Sequence, residues 1–217
     1  MAKDRTMGII DPATPAVMRG LALGALALAS AVLLAACSHG QRLGGYRDAL
    51  SPAEHVRLGS SYEAQGLRAE AAAQYRAAVR SDPGCAECWL ALGNTEFSEG
   101  RFKKAGAAFR KALKASPHHP GAANNLAMVL LARGGDLREA EALAQDALKN
   151  AGALRPYVLD TLAAIYIREG RLAEAAALLD LAEAETPEAD RLVRDQLRKT
   201  RESITAADKP APEGIAK

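Results

Sequence analysis

At 217 residues the chain has room for one domain or two small ones, and 49% hydrophobic content supplies a sizeable core. Aromatic residues make up only 4%. Alanine and leucine, both strong helix formers, dominate the apolar content, which predicts an all-α fold and argues against a sheet. Residues from Cys37 onward carry 25 basic and 24 acidic side chains, a balance that gives no electrostatic case for nucleic acid.

The first 17 residues carry two acids and two prolines and do not read as a basic leader, so translation is expected to begin at Met18. Met18-Arg19-Gly20 is followed by an uncharged run from Leu21 to Ala36, which ends Leu34-Ala35-Ala36-Cys37. A basic residue, a short apolar core and small residues before the cut mark a secretory signal, and the core is short for a spanning helix. The segment resembles the signal peptide of bacterial lipoproteins, with its lipobox. That resemblance implies a diacylglyceryl group on the Cys37 thiol, cleavage before Cys37 and acylation of the new amine. Two or three acyl chains, at about 0.8 kcal/mol per buried methylene, anchor a protein durably. The other reading is an uncleaved signal anchor whose cysteine is accidental. Ser38 follows Cys37 where an acid would retain such a protein at the inner membrane, so the same resemblance implies the periplasmic face of the outer membrane. Residues 1–36 are therefore expected to be a signal peptide. Residues 37–50, with Gly40, Gly44 and Gly45, are expected to be the lipidated cysteine and a flexible linker.

From residue 51 the sequence repeats with a period of 34, which calls for a solenoid. Leu58-Gly59 recurs as Leu92-Gly93, Gly66 as Gly100, Ala71 as Ala105, Tyr75 as Phe109, Ala78 as Ala112 and Pro83 as Pro117. A third copy shows Leu126-Ala127, Gly134, Ala140, Ala144 and Ala147, with an extra residue at Gly134-Gly135; a fourth shows Leu162-Ala163, Tyr166, Gly170, Ala175, Leu179, Ala182 and Pro187. The copies resemble the tetratricopeptide repeat, two antiparallel helices per unit, with Trp89, Leu92 and Gly93 matching its opening pattern most fully. Glu96 departs from that pattern where an aromatic is usual, and Gly152 departs where the closing proline would stand. The predicted architecture is a right-handed helical solenoid of four hairpins, 52–85, 86–119, 120–155 and 156–189. Small residues let paired helices approach, glycine ends each first helix, and proline stops the second. Residues 188–204, with Leu192, Val193, Leu197 and Ile204, are expected to cap the last apolar face, and 205–217 to be a disordered tail.

Cys85 and Cys88 form a Cys-x-x-Cys with three readings: a small disulfide favoured by export, a redox pair, or a metal site completed by His118 and His119. The disulfide reading leads, because a helical-repeat turn is not a βαβ redox setting and the two histidines fall one repeat away. No nucleophile elbow, phosphate loop or metalloprotease signature occurs. His55 falls at a repeat core position, and Glu183 and Glu185 read as solvated helix-face acids. No catalytic residue, metal or cofactor is expected.

In the tetratricopeptide family the first helices of successive units line a concave face that holds extended peptides or helices. The resemblance nominates Asn94, Phe97, Asn124, Asn125, Met128, Tyr157, Asp160 and Arg168 as partner-binding, with Ser60, Glu63, Leu90, Leu131 and Ile167 on the same faces. Asn94 and Asn125 match two asparagines of the clamp with which some relatives grip a C-terminal carboxylate. Leu90, Asp160 and Ala164 replace its basic residues, so capture of a carboxylate terminus is not expected. The expected function is a membrane-tethered scaffold or adaptor that binds a protein or peptide, because lipoproteins of similar layout include assembly factors for type IV and related pili and scaffolds of cell-wall enzymes. The alternatives are an envelope thiol-redox protein using Cys85 and Cys88, and a structural subunit that self-associates end to end.

Overall fold

The computed structural model describes residues 48–208, so Cys37, the expected signal peptide and the last nine residues lie outside the described residues. The chain divides into two units, Met1–Ala49 and Leu50–Lys217, and every helix described belongs to the second. Four hairpins follow one another: α1 (Pro52–Ala64) with α2 (Arg68–Ser81), α3 (Ala86–Ser98) with α4 (Phe102–Ala115), α5 (Pro120–Ala132) with α6 (Leu137–Lys149), and α7 (Arg155–Arg168) with α8 (Leu172–Glu185). A ninth helix, α9 (Arg191–Ala207), closes the row.

The first helix of every hairpin ends the same way. Gly66, Gly100, Gly134 and Gly170 adopt φ between 62 and 77°, a region that a side chain disfavours. The next residue's N–H reaches back to the carbonyl five residues earlier: Leu67 to Tyr62, Arg101 to Glu96, Gly135 to Leu130 and Arg171 to Tyr166, at 2.8–2.9 Å. This is the Schellman closure, which satisfies carbonyls the helix leaves unpaired. In three hairpins the second helix begins at once, with no side-chain cap. The extra residue of the third hairpin admits Asp136, whose carboxylate accepts from the N–H groups of Arg138 and Glu139 at 2.9 and 3.3 Å. Before Pro83, Pro117 and Pro187 the residues Asp82, Ser116 and Thr186 are extended, as proline requires of its predecessor. The third hairpin lacks that proline and instead turns through Gly152 (φ 51°) into a short 3-10 turn, Gly152–Leu154.

Within each hairpin one contact fixes the helix separation. A Cβ on Gly59 would stand 2.8 Å from Cδ1 and Cζ of Tyr75 and closer still to Cε1; one on Gly93 would stand 2.6 and 3.0 Å from Cδ1 and Cζ of Phe109 and again closer to Cε1. Such distances place the glycine over the ring face, with no room for a methyl group. Tyr75 and Phe109 are fully buried, so neither ring can move aside. At the matching positions of the later hairpins the partners shrink and the glycine becomes alanine: Ala127 shares a core cluster with Ala144, and Ala163 with Leu179. Ala71, Ala105, Ala140 and Ala175, on the facing helices, are fully buried.

The first helices of adjacent units also pack on one another, α1 on α3, α3 on α5 and α5 on α7, which the second helices do not do to the same extent. The row therefore curves with its first helices on the inner side. Glu96, at the aromatic position, is buried and clasped by Arg101 and, at 3.2 Å, by Arg76 of the preceding unit. Burial pushes its carboxyl up, but the hydrogen bonds from the two guanidinium groups outweigh that and hold it below the usual range.

α9 packs on α7 and α8 and buries Val193 and Leu197 against Leu159, Ala163, Ala175 and Leu179. Two corrections follow. Residues 205–207, expected in the tail, belong to α9. Leu192, expected on the capping face, is 83% exposed.

Gly93→Ala is expected to lower stability by about 1–2 kcal/mol in urea unfolding, because overpacking outweighs the roughly 1 kcal/mol of helix propensity that alanine gains. Combining it with Phe109→Leu, which copies the Ala163–Leu179 pairing, should show favourable coupling of about 1 kcal/mol in a double-mutant cycle. Strict additivity would contradict the ring-over-glycine account.

Candidate functional site

The inner face carries three adjoining hollows built by α3, α5, α7 and α9. The central one, about 660 Å³, is lined by Leu90 and Asn94 of α3, Gly121, Asn124, Asn125 and Met128 of α5, Tyr157, Asp160 and Thr161 of α7, Leu154 before α7, and Leu192 and Gln196 of α9. The spacings of three and four residues within each helix put these side chains on one face. On one side lies a smaller hollow of about 190 Å³ between Asn94, Phe97, Asn125 and Met128. On the other, about 270 Å³ is bounded by Leu131, Ala164, Ile167 and Arg168 together with Gln196, Lys199, Thr200 and Ser203 of α9.

Four of the six large apolar side chains exposed among the described residues, Met128, Leu154, Tyr157 and Leu192, line the central hollow. Apolar surface gathered in one concavity marks a contact site more than scattered apolar residues do. The polar groups form a relay. Asn124 Nδ2 donates to Asn125 Oδ1 (3.3 Å) and approaches Met128 Sδ (3.7 Å), and Asn125 Nδ2 donates to Asn94 Oδ1 (2.7 Å). Asn124 is only 6% exposed, and its Oδ1 is buried without a hydrogen-bond partner. Asp160 Oδ2 accepts from Gln196 Nε2 at 3.2 Å, while Oδ1 is likewise buried and unpartnered. Burial pushes the Asp160 carboxyl above the usual range, against the smaller opposing effect of hydrogen bonds from Thr200 and Gln196.

The structure does not bring all the nominated residues together. Asn94, Asn124, Asn125, Met128, Tyr157 and Asp160 share the central hollow with Leu90. Phe97 lines only the small one and packs edge-on against Phe102, with ring centroids 5.3 Å apart. Leu131, Ile167 and Arg168 belong to the third hollow. Ser60 and Glu63 are engaged elsewhere: the Tyr75 hydroxyl donates to Glu63 Oε2 at 2.9 Å and lies 3.3 Å from Ser60 Oγ, and Thr95 donates to Glu63 Oε1 at 2.8 Å. Leu154, Thr161, Leu192 and Gln196 were not nominated by the sequence. Leu192 carried a usable signal, since it falls off the Val193–Leu197 stripe of its helix.

Cys85 and Cys88 are joined as a disulfide at the start of α3, with Cα atoms 5.3 Å apart. Cys85 Sγ accepts from the N–H of Cys88 at 3.1 Å, and Cys88 is fully buried beside Val79 and Leu92. His118 and His119 bond Asp146 and Glu87 at 3.1 and 2.9 Å. Among the described residues no group of three or more His, Cys, Asp or Glu side chains could hold a metal ion, and no helix is long and apolar enough to cross a membrane.

Family models described as tetratricopeptide repeat match residues 56–120 and 96–160. Residues 56–160 are therefore tetratricopeptide repeats. The tetratricopeptide fold is a scaffold for protein–protein interaction. Solved structures share it. MamA is 16% identical over 72% of this chain and 78% of its own, with a TM-score of 0.50. Pseudomonas aeruginosa PilF is 20% identical over 72% and 73%, at 0.56. PilW, described as a widely conserved type IV pilus biogenesis factor, is 20% identical over 71% and 78%, at 0.59. At these identities the likeness is one of fold. No curated protein sequence matches the chain.

Two outcomes test the polar groups of these repeats. The raised pKa of Asp160 means its charged form is disfavoured by folding, so its cost is present at neutral pH and disappears as pH falls through the folded pKa. Asp160→Asn should therefore raise Tm at pH 7, with the gain shrinking as pH drops into the carboxylate range; a gain constant with pH would contradict the burial account. Replacing Cys85 and Cys88 by Ser should lower stability by about 1–2 kcal/mol, as expected for so short a closed loop, and leave thiol exchange with a model disulfide substrate unchanged. Loss of exchange would instead assign the pair a redox role.

Proposed function

We propose that the protein is a membrane-tethered scaffold of the bacterial envelope, anchored through acylated Cys37 at the periplasmic face of the outer membrane. Its inner groove binds an apolar peptide or helix of a protein partner. The observation that carries the reading is the concentration of Met128, Leu154, Tyr157 and Leu192 around one groove that also holds an orphaned amide oxygen. Apolar walls supply affinity, and the asparagines are placed to bond a partner's backbone. The tether rests on the run from Met18 to Cys37. Its tie to assembly of type IV or related pili is supported by the fold shared with PilW. A scaffold is favoured over a thiol-redox protein because the pair sits in the turn between two helical hairpins, not in a βαβ setting, and Cys88 packs in the core beside Val79 and Leu92.

Cross-linking in native membranes, followed by identification of the captured proteins, tests the reading. Met128→Glu with Tyr157→Glu should reduce capture of the principal partner at least tenfold, whereas Lys111→Glu on α4 should not, since hot-spot energy concentrates in buried anchors. Cys37→Ala should abolish fatty-acid labelling and move the chain to the soluble fraction. An unchanged captured set would overturn the groove reading, and labelling that survives the loss of Cys37 would overturn the anchor.

A further inference from the structure

We propose that the segment held in this groove presents a cation, the side chain of a lysine or arginine, to Asp160 and Asn124. The inference rests on the groove reading above and names the chemistry of its occupant. Both orphaned atoms, Asn124 Oδ1 and Asp160 Oδ1, are buried acceptors of residues that line the same hollow. A buried acceptor without a donor is costly, and a buried carboxylate without a counter-charge more so.

The rest of the site leaves that cost standing. Asn124 spends its own amide nitrogen on Asn125, whose nitrogen is spent in turn on Asn94, so the relay leaves the Asn124 oxygen without a donor. Asp160 has only the neutral side chains of Gln196, at 3.2 Å, and Thr200 beside it, and no counter-charge. The contrast with Glu96 is direct: that carboxylate, also buried, has two guanidinium groups on it. No cationic side chain lines this hollow; Arg168 and Lys199 line the adjoining one.

A backbone amide offers one N–H per residue and no charge, whereas an ammonium offers three donors and a guanidinium five. Only the cation answers both the missing donors and the missing charge. Its aliphatic stem would lie along Met128, Tyr157 and Leu192, as long basic side chains do on apolar walls.

A random nine-residue peptide library selected on the immobilised full chain tests this. The enriched peptides should carry Lys or Arg at one fixed position among apolar residues. Exchanging that residue for Met should weaken binding at least tenfold, and the preference should vanish when selection is repeated on Asp160→Asn. Enriched peptides that are apolar without the basic residue, or a basic preference that survives Asp160→Asn, would overturn the cation proposal and leave the groove reading intact. If no peptide is enriched, or the enriched ones bind the Met128→Glu, Tyr157→Glu variant equally well, the groove reading fails and takes this proposal with it.

Discussion

A glycine backbone lying over an aromatic ring sets the geometry on which the rest of this molecule depends. Gly59 sits over Tyr75 and Gly93 over Phe109, and in each case a single methyl group would collide with a ring that is itself buried. The contact fixes how near the two helices of a hairpin lie, and thereby how each hairpin offers its flank to the next. Where the ring is gone the glycine is gone as well: Ala127 goes with Ala144, and Ala163 with Leu179. Size is traded across the interface so that interior packing density is kept with different atoms.

Because the first helices also touch one another along the row, the stack bends, and the bend turns three helix faces and the side of α9 into one concavity. The protein treats its buried charges differently on either side of this surface. Glu96, between units, is neutralised by Arg76 and Arg101. Asp160 and Asn124, in the concavity, each keep a buried oxygen without a donor. A fold that pairs the buried Glu96 carboxylate between units, and leaves two buried acceptors without donors in its inner groove, carries local instability at the place a partner would relieve it.

Much of this was legible in the sequence because it is local. The 34-residue period, the glycines at 66, 100, 134 and 170 and the prolines at 83, 117 and 187 each act on their own stretch of chain, and each does so in the structure. The groove was legible in part. Asn94, Asn125, Met128, Tyr157 and Asp160 could be placed by projecting one helix face from unit to unit, but the contribution of α9 could not, because it comes from a helix outside the repeat. Leu192 reads as one more capping residue unless its offset from the Val193–Leu197 stripe is weighed, and it is exposed beside the groove. The engagement of Glu63 was illegible for a related reason: Tyr75 and Thr95 from two other helices draw its carboxylate into a hydrogen-bonded cluster. Glu96 read as a flaw in the pattern until its two arginines, one of them twenty residues away, supplied the reason. Pairings that depend on which helices adjoin are not written in any one stretch of sequence.

The most direct measurement is the proton NMR spectrum of the full chain in detergent, with the Hα resonances of Gly59 and Gly93 assigned. A glycine Hα that occupies the Cβ direction over a ring face is shielded by the ring current, so one Hα of each glycine should appear well upfield of its partner, with no comparable shift at Ala127 or Ala163. Ordinary, nearly degenerate Hα shifts at Gly59 and Gly93 would contradict the packing from which the hairpins, the curvature and the groove have been built.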